Sequence, residues 1–229
     1  MHISTHQPVF LPWPGFFHKA RHSDALVLLD EVQFPQGRSW MSRNRVKSDQ
    51  GELWLKVPVL KKGLGLQRIG QVRICEEEDW RARHLRGIRL AYAHAPYLRD
   101  YLPVLESAYR CGHERLLDLN LELIRFLLDA LNLKTRLILQ SELGIAGAKT
   151  RLLTDICRAL GAGTYLALPF AAKHLEAVEF HRQGIHLEFL SFTPPIYPQL
   201  WGEFRYNLSC LDLLLTCGPR SLEILGQPA

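Results

Sequence analysis

The first 47 residues hold the densest set of side chains able to do chemistry. His6-Gln7 directly follows a very short apolar start. Asp30-Glu31 closes the apolar run Ala25–Leu29, and Arg38, Arg43, Asn44, Arg45 and Lys47 form the densest basic cluster of the chain. A histidine at the end of a first strand can donate to a phosphate or act as a general acid or base. Bound into the turn made by Pro8 and Pro12, the same histidine would be purely structural. An acid at a strand end, as at Asp30, can bind a ribose hydroxyl, hold a metal or take a proton, or simply mark an exposed strand end. Arginine forks suit phosphates and carboxylates. The basic cluster also reads as a charged surface loop, although the interleaved Trp40 and Asn44 favour an anion site. His6 and Asp30 are the candidate catalytic residues. Gln7, Trp13, Arg43, Asn44, Arg45, Lys47, Tyr197, Gln199 and Ser209 are the candidate substrate or phosphate contacts.

The elements that must position them alternate. Residues 2–6 and 25–34 read as strands, and 14–22 as a short helix opened by Pro14. Pro8, Pro12 and Pro14 restrict the backbone between them. Gly15 permits a close approach or a tight turn, and Trp13 is placed to stack on a base or sugar or to join the core. Residues 53–59 read as a strand, 61–65 as a loop and 71–75 as a short strand. Helices are expected over 79–93, 97–110 and 114–131. The α/β pattern then returns with strand 135–140, helix 149–160, strand 164–168, helix 172–182 and strand 185–191. A final helix over 208–217 stops at Gly218-Pro219. Asn120 stands inside an apolar helix, where a structural role is favoured. Tyr197 and Gln199 follow Pro194-Pro195, and Ser209 reads as a helix cap or a ligand contact. Strand–helix alternation predicts an α/β fold with a mainly parallel, Rossmann-like sheet flanked by helices. A helical insert over about 79–131 interrupts a single domain spanning 1–229.

The totals narrow the function classes. The chain has 229 residues, 47% hydrophobic and 22% charged, within the range of ordinary globular proteins. No run approaches the roughly 20 apolar residues that span a bilayer, and no basic region precedes an apolar core at the N-terminus, so neither a membrane span nor a signal peptide is expected. Five widely spaced cysteines without a CxxC predict reduced thiols in a cytoplasmic protein and no zinc site. Residues 1–110 carry 17 Lys and Arg against 11 Asp and Glu, while residues 111–229 carry 11 against 12. That excess would favour an anionic ligand, whether a phosphate, a nucleotide, a lipid-phosphate or a nucleic acid, but on charge alone a solvated surface is preferred; with the N-terminal motifs, a small anionic or nucleotide-linked substrate is expected. Nucleic-acid binding would need a longer basic surface. Ala146–Thr150 lacks P-loop spacing, and GxSxG, HExxH and GxGxxG are absent.

The segments HQPVFLPWPGF, LLDEVQF, RNRVK, LWLKVPV, the helix containing DLN, and YPQ…F…NLSCLDLLLTCG together resemble the WbqC-like protein family, from about residue 3 to residue 218. The resemblance carries His6, Gln7, Pro8, Trp13, Gly15, Asp30, Arg43, Asn44, Lys47, Asn120, Tyr197, Gln199, Ser209 and Asp212 onto family positions. Members occur in bacterial gene clusters for surface polysaccharide, including O-antigen. The resemblance therefore implies a group-transfer enzyme of that biosynthesis, an aminoacyl or glycine transferase using an activated phosphate-containing donor. ATP or a nucleotide sugar with magnesium is the implied donor class. A non-catalytic nucleotide-, nucleic-acid- or partner-binding module is the alternative. Ala167-Leu168-Pro169-Phe170 departs from the family pattern of Ser-Gly and small residues, which puts specificity or activity in question. The likeness to nucleotidylyl transferases is one of architecture only, because Val9 stands where their second histidine would. The apolar final helix is the face on which a second copy would form a homodimer.

Overall fold

The computed structural model describes residues 1–76 and 79–226. The expected domain extent of 1–229 takes in residues 77–78 and 227–229, which lie outside that range. In chain order the strands and α-helices are β1 (His2–His6), α1 (Pro14–Arg21), β2 (Ala25–Leu28), β3 (Arg43–Ser48), β4 (Gly51–Lys56), α2 (Trp80–Ala91), α3 (Leu98–Arg110), α4 (Leu116–Ala130), β5 (Arg136–Leu139), α5 (Gln140–Leu143), α6 (Lys149–Ala159), β6 (Thr164–Ala167), α7 (Ala177–Arg182), β7 (His186–Phe189), α8 (Cys210–Cys217) and α9 (Ser221–Leu225).

Five strands form one parallel sheet in the order β5-β2-β1-β6-β7. The α/β reading holds. Side chains alternate across a strand, and β2 divides its residues accordingly. Leu26 and Leu28 join a large core with Phe10, Phe16, Phe17 and residues of α2, α3, α4 and α8. Ala25 and Val27 join a smaller core with Ile3, Ile156, Tyr165 and Phe180. In α4, Leu116, Leu119, Leu123, Ile124 and Leu127 recur at spacings of three and four and are essentially inaccessible. Burying each such side chain stabilises the fold by about 1.5–3 kcal/mol.

Several expectations change. The strand expected over 25–34 ends at Leu28, and the strand expected over 71–75 is reduced to isolated bridges at Arg73 and Ile74. The segment carrying Arg43, Asn44, Arg45 and Lys47 is the strand β3, paired antiparallel with β4, and not a loop. Its charges hid a strand whose Asn44, Val46 and Lys47 are buried. The helix expected over 208–217 begins at Cys210 and is not the last, because α9 follows it. Leu211, Leu213 and Leu214 of α8 are wholly buried within this chain, so its apolar composition gives no reason to expect a second copy.

The return from β1 to α1 runs through the protein rather than over it. Pro8, Val9, Phe10, Leu11 and Pro12 are all buried, so their carbonyls need protein donors. The Asn120 side-chain amide donates to Pro8 O at 2.7 Å and Met41 O at 2.8 Å. The Asn44 amide donates to Phe10 O at 3.2 Å and Leu11 O at 2.7 Å. Cys210 N–H donates to Pro12 O at 2.7 Å. Replacing Asn120 with Ala strands two buried carbonyls, each worth about 1–3 kcal/mol. We expect Asn120→Ala to lower the unfolding free energy by about 2–4 kcal/mol in chemical denaturation.

Candidate functional site

In an open parallel sheet, ligands sit beyond the carboxyl ends of the strands, where the strand order reverses. Here β1 is followed by β2 on one side, and β6 later fills the other side. The reversal therefore lies between the ends of β1 and β6. A cavity of about 580 Å³ opens there, lined by His6, Gln7 and Trp13 from the β1 end and by Phe170 from just beyond β6. Arg38, Ser39, Trp40, Met41, Asn44 and Arg45 line it from the segment entering and forming β3, with Asn207 from the chain before α8. The departing Ala167–Phe170 segment thus contributes an aromatic wall. Another cavity of about 450 Å³ lies between α6 and α7, but its Arg182 and Arg151 already pair with Glu179 and Asp155.

His6 ends β1 and packs edge-on against Phe16, 5.0 Å between ring centres. Its Nδ1 lies 2.8 Å from Gln7 O. A carbonyl only accepts, so Nδ1 carries the proton and Nε2 keeps its lone pair. Burial, and then the charge of nearby Lys19, push the imidazole pKa down to about 3, against the pull of the Gln7 carbonyl. His6 is therefore neutral at physiological pH. In that state Nε2 accepts a hydrogen bond or a proton and does not donate to a phosphate, so of the two ligand-facing roles expected from sequence only the acceptor role survives.

The aromatic walls are held by packing. The Trp13 indole meets Phe192 edge-on at 5.3 Å and Phe170 at 6.3 Å, and it lies over Gly15. A Cβ on Gly15 would fall 2.2 Å from the indole, which explains the glycine as a close approach. Trp40 stacks on Trp54 at 5.8 Å, and the Arg43 guanidinium lies 4.8 Å from the Trp54 ring centre. Arg45 pairs with Glu52 at 2.8 Å and also flanks Trp54.

The sequence candidates separate into groups. His6, Gln7, Trp13, Asn44 and Arg45 line the cavity, and Arg43 stands behind it through the tryptophan pair. Asn44 at the same time anchors the buried loop. Asp30 is buried and does not line the cavity. Its Oδ1 accepts from Ser141 N–H at 3.0 Å, and its backbone oxygen accepts from Gly70 N–H at 2.8 Å. Lys47, Tyr197 and Gln199 form a different cluster. Asp212 accepts from Tyr197 Oη at 2.7 Å and from Tyr92 Oη, which in turn accepts from Lys47 N–H at 2.9 Å. Lys47 Nζ donates to Glu203 O and, at 3.4 Å, to Gln199 Oε1. Burial raises the Asp212 pKa, and the tyrosine hydrogen bonds oppose that. Ser209 caps α8 by accepting from Leu211 N–H at 3.2 Å. Val9, Pro35, Arg38, Ser39, Trp40, Met41, Phe170 and Asn207 complete the lining outside the sequence-based candidate set. For Arg38 and Trp40 the signal was their place in the basic cluster, and for Phe170 the departure from the family pattern at 167–170; Asn207 gave no comparable sign.

The model of the WbqC-like protein family matches residues 7–224, and the chain belongs to that family. It is similar to "Uncharacterized protein Rv1507c" of Mycobacterium tuberculosis (strain ATCC 25618 / H37Rv), at 30% identity over 225 residues, 97% of this chain and 96% of that relative. No solved structure matches. Among the described residues, no helix is long and apolar enough to cross a membrane.

Lys19, on α1, is only 7% exposed. Its Nζ donates to Thr5 O, and among the described residues it has no carboxylate partner. Burial lowers its pKa from 10.5 to about 7. Between those values the unfolded chain holds a proton that the folded chain has released, so stability rises as pH rises through that window. Replacing Lys19 with Met removes that pH dependence. Denaturant unfolding should show wild type gaining on Lys19→Met by up to about 1.4 kcal/mol per pH unit from pH 7 toward 10.

Proposed function

We propose that this chain is a group-transfer enzyme of bacterial surface-polysaccharide biosynthesis that binds a phosphate-containing, nucleotide-linked or otherwise activated donor in the β1–β6 cavity. The observation that carries the reading is the composition of that cavity: a neutral histidine acceptor, two flanking tryptophans and two arginines at the strand-order reversal of a parallel sheet. Trp13 and Trp40 supply faces for a base or sugar ring. Arg38, with no carboxylate partner among the described residues, meets the donor's anionic oxygens and the charge that develops as the group departs, while Arg45 stays paired with Glu52 on the same wall. His6 Nε2 orients the acceptor hydroxyl or amine and takes its proton, and a bound anion beside it raises its basicity. Among the described residues the lining contains no carboxylate, and Asp30 is committed to Ser141, so those residues offer no ligand set for magnesium there. Phe170 narrows the cavity on the β6 side and marks the position where this member differs in substrate choice.

A second reading rests on the exposed Trp40–Trp54 stack with Arg43 and Arg45 against it. Such a surface suits a nucleotide or nucleic-acid binding module without catalysis, and binding would then weaken steeply with salt.

A thermal-shift panel of ATP, nucleotide sugars and phosphorylated metabolites tests the donor site. We expect a saturable rise in melting temperature with one donor class, and at least about tenfold weaker binding in Arg38→Ala. In His6→Gln the shift should persist while transfer to an acceptor is lost. A well-folded protein that no phosphorylated donor shifts would overturn the reading.

A further inference from the structure

Away from that cavity, where α3 turns into α4, three side chains of different chemistry converge. Cys111 caps the C-terminus of α3, Gly112 turns the chain with φ +66°, and His113 follows. Glu122 projects from the second turn of α4. The Glu122 carboxylate uses one oxygen toward His113 Nε2 and the other toward Cys111 Sγ, at 3.7 Å. All three potential ligand atoms lie within 4.8 Å of one another, the one group of this kind among the described residues.

From this geometry we propose a divalent-metal site for zinc, with Cys111 Sγ, His113 Nε2 and a Glu122 oxygen as ligands. A thiolate, an imidazole and a carboxylate form the mixed donor set that zinc prefers over magnesium or calcium. Ligand atoms of a tetrahedral zinc stand roughly 3.3–3.8 Å apart, a spacing these atoms reach with small side-chain rotations. The C-terminal end of α3 adds partial negative charge toward the cation. The Arg81 guanidinium, 3.3 Å from His113 O, holds the ligand loop in place. Three protein ligands leave the fourth position open, beside a cavity of about 440 Å³ whose lining includes His113, Glu122, Asp118, Arg125 and Asp129. Water or an anionic ligand group fills that position. The cysteine spacing in the sequence gave no sign of the site, because Cys111 is joined by a histidine and a glutamate and not by a second cysteine.

Titration of the full chain with Co²⁺, followed by displacement with Zn²⁺, tests the proposal. We expect one equivalent of Co²⁺ with a thiolate-to-cobalt absorption band in the near ultraviolet, bleached by Zn²⁺. Cys111→Ser should remove the band. His113→Ala and Glu122→Gln should weaken Zn²⁺ binding at least about tenfold. His18→Ala, which breaks the neighbouring-turn histidine pair of α1, should leave it unchanged. Absence of binding by wild type in calorimetry, or binding that survives in Cys111→Ser/His113→Ala, would overturn the site.

Discussion

A carbonyl taken out of water needs a donor, and the segment from Gln7 to Trp13 takes several out at once. Two asparagine amides and the first N–H of α8 supply most of them. Each amide bridges two carbonyls, so Asn120 ties the loop to Met41 and Asn44 ties it to β3. Because those ties reach α4, the hairpin and α8, the loop that presents His6 has one position relative to the wall made by Ser39–Arg45. The neutral state of His6 follows from the same enclosure: the residue sits over a buried lysine and against Phe16, with its only donor hydrogen committed to Gln7.

The parallel sheet was legible in the sequence because its strands alternate with helices and carry apolar runs bounded by prolines and acids. The site was legible in part. His6 and Gln7 could be placed because a histidine and proline pair at the end of a first strand is a local pattern. Asp30 was misleading for a physical reason: a strand-end acid aimed at a ligand and one accepting from a neighbouring helix read alike in sequence, and the donor, Ser141, is far along the chain. β3 was obscured because a basic, alternating strand whose polar side chains have buried partners lacks the apolar signal on which strand assignment depends. Phe170 and Asn207 reach the cavity only through the strand order, which no local spacing encodes.

Lys47, Tyr197 and Gln199 show a related effect. Their types suit substrate binding, yet they surround Asp212, a buried carboxylate whose two tyrosine donors come from α2's C-terminal cap and from the chain after β7. A buried carboxylate needs such partners wherever it stands. The cluster therefore joins the helical segment between β4 and β5 to the C-terminal part of the chain, and it braces the side of the hairpin that carries Asn44 and Arg45 into the cavity.

The partners of the Gln7–Trp13 loop also order events in time. A polypeptide is made from its N-terminus, and domains mature as units during synthesis. β1 emerges well before its neighbour β6 and the donor Cys210. Phe10, Phe16 and Phe17 remain without their full enclosure for most of translation. Contacts so distant along the chain slow folding, the pocket wall is incomplete until Asn207 has been made, and a prematurely terminated chain lacking α8 would present this aromatic segment to chaperones.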